Sequence, residues 1–128
     1  IGVTGVQTCA LPIYVPPYLR EVLGHFPNFH RTRFALLEAG NTVKPHIDYD
    51  TTYGIRLHIA LATNDQCFNG GWDKDGNEVR EHIPDDGSVW FINPGVKHYA
   101  INGGNTARNH LIISMDNQSI LEDHAFKV

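Results

Sequence analysis

Apolar positions recur along this chain with two different periods. Over residues 14–30, YVPPYLREVLGHFPNFH, Tyr18, Leu19, Val22, Leu23 and Phe26 are spaced for one face of a helix. The Pro16–Pro17 pair suits a helix start and Pro27 ends it. The expected place for this helix is the outside of a sheet. From residue 31 the period becomes two. RTRFALLEAG reads as a strand ending at Gly40, and a turn at Gly40–Asn41 leads into TVKPHIDYD. In IRLHIALAT (55–63), Arg56, His58, Ala60 and Ala62 share one face, and Leu57, Ile59 and Leu61 share the other. The first face is polar and roomy; the leucine face packs elsewhere.

Residues 64–78 are rich in Asn, Asp and Gly and read as a loop, with Trp72 over the mouth of a barrel. The DKDG stretch (73–76) signals a hairpin turn, and it lacks the closing Glu of a calcium loop. NEVREHI, SVWFIN, KHYAIN and RNHLIISM follow as short strands separated by PDDG, PG and GGN. Seven or so short strands at roughly 8–12-residue spacing predict an all-β sandwich or barrel with a minor helix. The tail SILEDHAFKV suits a short helix or a fraying end.

A chain of 128 residues with 41% hydrophobic and 19% charged residues fits one globular domain. No apolar run nears the roughly 18–20 residues that span a bilayer, so no membrane partner is expected. A net charge of −4 argues against a nucleic-acid partner, because phosphate affinity needs clustered Lys and Arg. Two Cys cannot build a disulfide framework, and a cytoplasmic location is expected. Residues 3–13, VTGVQTCALPI, resemble a translated sequencing adaptor. Residues 1–13 are therefore expected to be non-native, with one N-terminally truncated domain over 14–128 and Cys67 the native cysteine.

Eight His is the outlier in the composition. In an extended strand His46 and Asp48 point to one side, and His98 follows on another strand. Two imidazoles and a carboxylate on one face of a metal form the facial triad of non-haem Fe(II) sites. Arg108 lies ten residues after His98. A hairpin pivoting on Gly103, with a three- or five-residue loop, would project His98 and Arg108 from one face. An arginine buried there needs an anion, and a dicarboxylate gripped by the guanidinium fork is the expected one.

The stretches RTRFALLEAGNTVKPHID, RLHIALATN and GSVWFINPGVKHYAINGGNTARNHLIIS resemble the aspartyl/asparaginyl β-hydroxylase-like branch of the 2-oxoglutarate/Fe(II) oxygenases, which includes cis-proline hydroxylases. The resemblance covers about residues 31–116. It implies a double-stranded β-helix, a jelly-roll or cupin-like barrel of two antiparallel sheets. It implies His46, Asp48 and His98 as iron ligands, Arg108 on the distal carboxylate of 2-oxoglutarate, and His58 as a co-substrate contact. It also implies Arg33 and Arg56 as contacts to a substrate carboxylate.

The activity so implied uses Fe(II), 2-oxoglutarate and O2, releases succinate, and hydroxylates a free amino acid or an amino-acid side chain. The substrate would be a small molecule or peptide bearing an anionic group. Asp48 stands where the animal enzymes have Gly, which is closer to the free-amino-acid hydroxylases. Ser114 stands where an acidic residue is frequent. The competing readings are a cupin-like metal protein and an inactive barrel fragment. Cupins usually present HxH and a later Glu, which this chain lacks.

Among the remaining candidates, His110 shares a face with Arg108 and either lines the pocket or bonds within the sheet. His25, His30, His82 and His124 read as surface residues. Trp90 and Phe91 read as core, with one walling the site. Nothing in the sequence sets the oligomeric state.

Overall fold

The computed structural model describes residues 16–26 and 29–116. One helix, α1 (Pro17–Gly24), precedes eight strands: β1 (Phe29–Leu37), β2 (Thr42–His46), β3 (Ile55–Ala62), β4 (Cys67–Trp72), β5 (Glu78–Glu81), β6 (Trp90–Ile92), β7 (His98–Asn102) and β8 (Arg108–Met115). They form two four-stranded antiparallel sheets, ordered β1-β8-β3-β6 and β2-β7-β4-β5. The chain crosses repeatedly between the sheets, as expected of a double-stranded β-helix. Residues 1–13 and the tail lie outside the described residues, as do Cys9 and His124.

The two-residue period of the first sheet divides its side chains between two layers. One face carries Ile55, Leu57 and Ile59 of β3 and Leu111, Ile113 and Met115 of β8, all buried. Phe26 joins this core, and Leu19, Val22 and Leu23 of α1 pack on it. The helix thus covers the sheet from outside, as its spacing predicts. The other face carries Arg33, Arg56, His58, Arg108 and His110 toward the second sheet. The principal apolar core therefore lies outside the barrel, and the layer between the sheets carries the charged and imidazole side chains among smaller apolar ones.

Two expectations are corrected. Residues 67–72 are a strand, β4, and Trp72 ends it rather than riding on a loop. Glycines with low strand propensity hide β4 in the sequence, yet Gly70 is there for packing. Paired with Tyr99, it leaves room for the Tyr99 ring, and a Cβ at residue 70 would fall on that ring. Arg80 lies over the same ring, whose hydroxyl donates to Glu78. The DKDG hairpin does form: Trp72 pairs with Glu78, and Gly76 takes φ +83° in the turn.

The second correction concerns β7 and β8. They are not a hairpin, because β7 belongs to the second sheet and β8 to the first. The five residues 103–107 between Asn102 and Arg108 make a corner. Buried Asn102 anchors it, its amide donating to the carbonyls of Leu37 and Thr106 at 2.9 Å each. Such a corner lets His98 and Arg108 face each other from opposite walls instead of side by side.

Gly70→Ala is expected to destabilise the fold by about 1–3 kcal/mol through overpacking against Tyr99. Gly24→Ala, with nothing within 4 Å of the added carbon, is expected to be neutral or slightly stabilising. Urea unfolding of the two variants checks the difference.

Candidate metal centre

β2 ends at His46, whose register partner across the ladder is His98 of β7. The register slips between Val43 and His46, where Lys44 and Pro45 add a residue opposite β7. Proline cannot donate to the ladder, so a bulge is its natural place. The extra residue turns both Val43 and His46 inward despite their odd spacing. Without the bulge, His46 would face away from the barrel interior. Asp48 follows just past the strand, where its N–H donates to the Pro94 carbonyl at 2.9 Å. This bond ties it to the segment before β7.

One ligand atom from each of His46, Asp48 and His98 falls within 4.8 Å of the others. His46 Nε2 is 3.7 Å from Asp48 Oδ1, and His98 Nε2 is 3.5 Å from Asp48 Oδ2. Each imidazole places Nδ1 2.7 Å from a backbone carbonyl, that of Lys44 for His46 and that of Val96 for His98. A carbonyl only accepts, so each Nδ1 carries a proton, and in the neutral ring Nε2 is then the lone pair turned toward Asp48. Outer bonds of this kind orient histidine ligands in metal sites.

A cavity of about 150 Å³ opens from this cluster between the sheets. Arg33, Arg56, His58, His98, His46 and Arg108 all line it. Arg108 is only 5% exposed. Its NH1 donates to Asn69 Oδ1 at 3.2 Å, and its Nε is buried with no partner. Burial pushes its pKa below the ordinary arginine value. No carboxylate pairs with it among the described residues, and a buried guanidinium in that setting favours an anion beside it. Arg33 is also shifted down, by burial first and then by Arg56 and Arg31.

Arg56, expected as a substrate contact, lines the cavity and is also bonded to its neighbours. Its NH1 donates to Asp48 Oδ2 at 2.6 Å and its Nε to the Tyr49 hydroxyl at 3.1 Å. Its guanidinium also lies 5.1 Å from the Tyr49 ring centre. Arg33 lines the same cavity and makes no side-chain hydrogen bond among the described residues. Asn69 and Tyr49 carried no signal in the sequence. Asn69 was hidden with β4, and Tyr49 is one aromatic in a polar stretch.

His58 and His110 are both buried and face each other. Burial, then His110 and Arg108, hold the His58 pKa well below the usual histidine value. Burial and Arg108 lower that of His110 to about 3. Both rings are therefore neutral at pH 7. His82 is half-buried rather than a surface residue, and its Nδ1 donates to the Cys67 carbonyl at 2.9 Å. His25 is exposed, and the His30 side chain lies outside the description. Phe91 packs on the outer core, and with Trp90 it also lines a second, larger groove of about 790 Å³. Trp72, Val79 and Ile83 also line that groove, and it reaches His98.

A family model described as Aspartyl/Asparaginyl beta-hydroxylase matches residues 6–118. The chain belongs to the aspartyl/asparaginyl β-hydroxylase family. It is 32% identical over 106 residues to an L-proline cis-4-hydroxylase of Rhizobium meliloti (strain 1021). That match takes in 78% of this chain and 35% of the relative, so the chain spans about a third of that hydroxylase's length. Among solved structures, the capsular polysaccharide assembling protein CapF from Staphylococcus aureus matches with a TM-score of 0.56 at 14% identity. This likeness covers 72% of the chain and 25% of CapF, and it is one of fold alone. A cupin 2 conserved barrel domain protein from Salinispora arenicola matches at a TM-score of 0.44 and 17% identity, over 73% of the chain and 68% of that protein. Among the described residues of this β-hydroxylase family member, no helix is long and apolar enough to cross a membrane.

The buried imidazoles give a pH dependence with a definite sign. Their folded pKa values are depressed, so the unfolded chain binds more protons as pH falls below about 6.5. Stability is full above that pH and is lost toward the folded values. Between pH 6.5 and 5, above most carboxylate titrations, the slope from His110 should approach about 1.4 kcal/mol per pH unit, with His58 adding to it in the same direction. His110→Asn should remove its share, as read by urea unfolding across that window.

Proposed function

We propose that this chain forms the catalytic barrel of an Fe(II)- and 2-oxoglutarate-dependent hydroxylase acting on a free amino acid or an amino-acid side chain. The observation that carries the reading is Arg108, a buried guanidinium with an orphaned Nε, in a cavity that also holds two free imidazole Nε2 atoms. The donor set suits a divalent iron: two neutral imidazoles and a carboxylate, with outer bonds already in place. The cation suits the far carboxylate of a dicarboxylate. When bound, Fe(II) would supply oxidative chemistry, using O2 and 2-oxoglutarate to give succinate and a hydroxylated carbon.

The residues of the chain do the holding. His46, Asp48 and His98 would carry the metal. Arg56 would keep the Asp48 carboxylate aimed at it through the 2.6 Å bond. Arg108 would grip the co-substrate with a fork that Asn69 keeps in place. Arg33 would receive the anionic group of the substrate. Arg108 and His58 are buried in the cavity, and low exposure to water strengthens the contacts made there.

Anaerobic addition of Fe(II) and 2-oxoglutarate should produce a visible charge-transfer absorption. His46→Ala should abolish it. Arg108→Ala should raise the co-substrate Kd on the order of a hundredfold, the cost of losing a charged fork. No absorption from well-folded wild type would overturn the reading in favour of a cupin-like metal binder.

A screen of free amino acids for substrate-dependent succinate release would then identify the substrate. Arg33→Ala is expected to raise KM for that substrate while leaving 2-oxoglutarate binding unchanged. Equal losses in both would remove Arg33 from the substrate site.

A further inference from the structure

His58 on β3 and His110 on β8 bring Nδ1 to Nδ1 at 3.4 Å, with the rings edge-on and their centres 5.6 Å apart. This is long for a hydrogen bond, but no other partner reaches either atom among the described residues. His110 is 1% exposed, and its Nε2 is buried with no partner. Ala35 and Ala60 flank it in the register and leave the ring its space. The nearby His82 does not help, since its Nδ1 is spent on the Cys67 carbonyl. His58 turns Nδ1 toward His110, which leaves Nε2 for the cavity that the ring lines.

Two nitrogens that face each other share one proton, so there are two arrangements. In the first, His110 Nδ1–H donates to the His58 Nδ1 lone pair. His110 Nε2 is then a bare lone pair, and His58 carries its own proton on Nε2. In the second, His58 Nδ1–H donates to His110. His110 must then bury an Nε2–H with no acceptor, and His58 offers the cavity a lone pair.

The second arrangement leaves a buried donor unpaired, at a cost of about 1–3 kcal/mol, whereas an orphaned acceptor is better tolerated. It also sets a lone pair against whatever anion answers Arg108. The first arrangement sets a donor there. Both considerations select the same arrangement.

We propose that His110 is a positioning residue that fixes His58 in its Nε2–H tautomer, making it a hydrogen-bond donor to the anion in the Arg108 cavity. The identity of that anion rests on the function proposed above; the tautomer does not. His110 itself touches no ligand in this scheme. It acts through one bond to His58.

Long-range 1H–15N spectra of the full 15N-labelled chain at pH 7.5, with no metal or co-substrate added, read the tautomer directly. Signals are assigned by their loss in His58→Gln and His110→Asn. The proposal expects a protonated Nε2 on His58 and a protonated Nδ1 on His110. The reverse pattern, or an imidazolium at either residue, overturns it.

Binding of 2-oxoglutarate to the Fe(II)-loaded chain without oxygen is the second readout. His110→Leu removes the donor and should weaken binding about tenfold, while His110→Asn keeps an N–H near the same place and should stay within about threefold. Equal losses in the two variants, or none in the leucine variant, overturn the proposal. The wild-type spectrum decides the matter even if the leucine variant does not fold. If wild type binds no 2-oxoglutarate, the proposed function fails while the tautomer result still stands.

Discussion

Arg108 holds a positive charge inside the barrel at 5% exposure, and no carboxylate stands beside it among the described residues. Removing a guanidinium from water without an anion is expensive, and the inner layer is arranged around that condition. Its field helps keep His58 and His110 neutral. The small residues Ala35 and Ala60 leave space there rather than filling it with apolar bulk. The stability of the domain has to come from elsewhere, and it does: β3, β8 and α1 bury their aliphatic side chains on the outer face of the first sheet. Separating the two layers lets one sheet serve packing on one side and binding on the other.

Much of this was legible in the sequence, and the reason is the period of two. The alternation in IRLHIALAT places Arg56 and His58 opposite Leu57 and Ile59, which is how β3 divides its faces. The His46-x-Asp48 pair, His98 and Arg108 stand out because such residues are costly to bury without a purpose. What stayed hidden was non-local. Nothing in the local composition separates a hairpin from a corner at 103–107, since the difference lies in which sheet receives β8. Nothing in CFNGGW announces a strand, because Gly70 answers to a ring on β7. The bulge at Lys44–Pro45 has a signal in its proline, but only the register with β7 shows its effect on His46. The bond from Arg56 to Asp48 joins residues whose numbers suggest no contact.

The metal-capable cluster sits where two unlike spaces meet. His98, Ile92 and Asn69 line both the small cavity and the large groove. The cavity sets cations and imidazoles among small and aliphatic side chains such as Ala35, Val43 and Ile112. The groove presents Trp72, Val79, Ile83 and Trp90. A small dianion and a larger, partly apolar molecule would thus approach the same three side chains from different sides. Trp72, Val79, Ile83 and Trp90 line the groove and not the cavity, so changes there leave the cavity's lining intact.

The corner between β7 and β8 also has a mechanical meaning. It sets His46 and His98 on one sheet and Arg108 on the other, where the Arg108–Asn69 hydrogen bond already ties the walls, so a molecule bridging them would act as a second cross-tie. Filling the cavity and fixing the distance between the sheets then become a single equilibrium. A ligand held between the two sheets would therefore raise the stability of the whole domain along with its own occupancy.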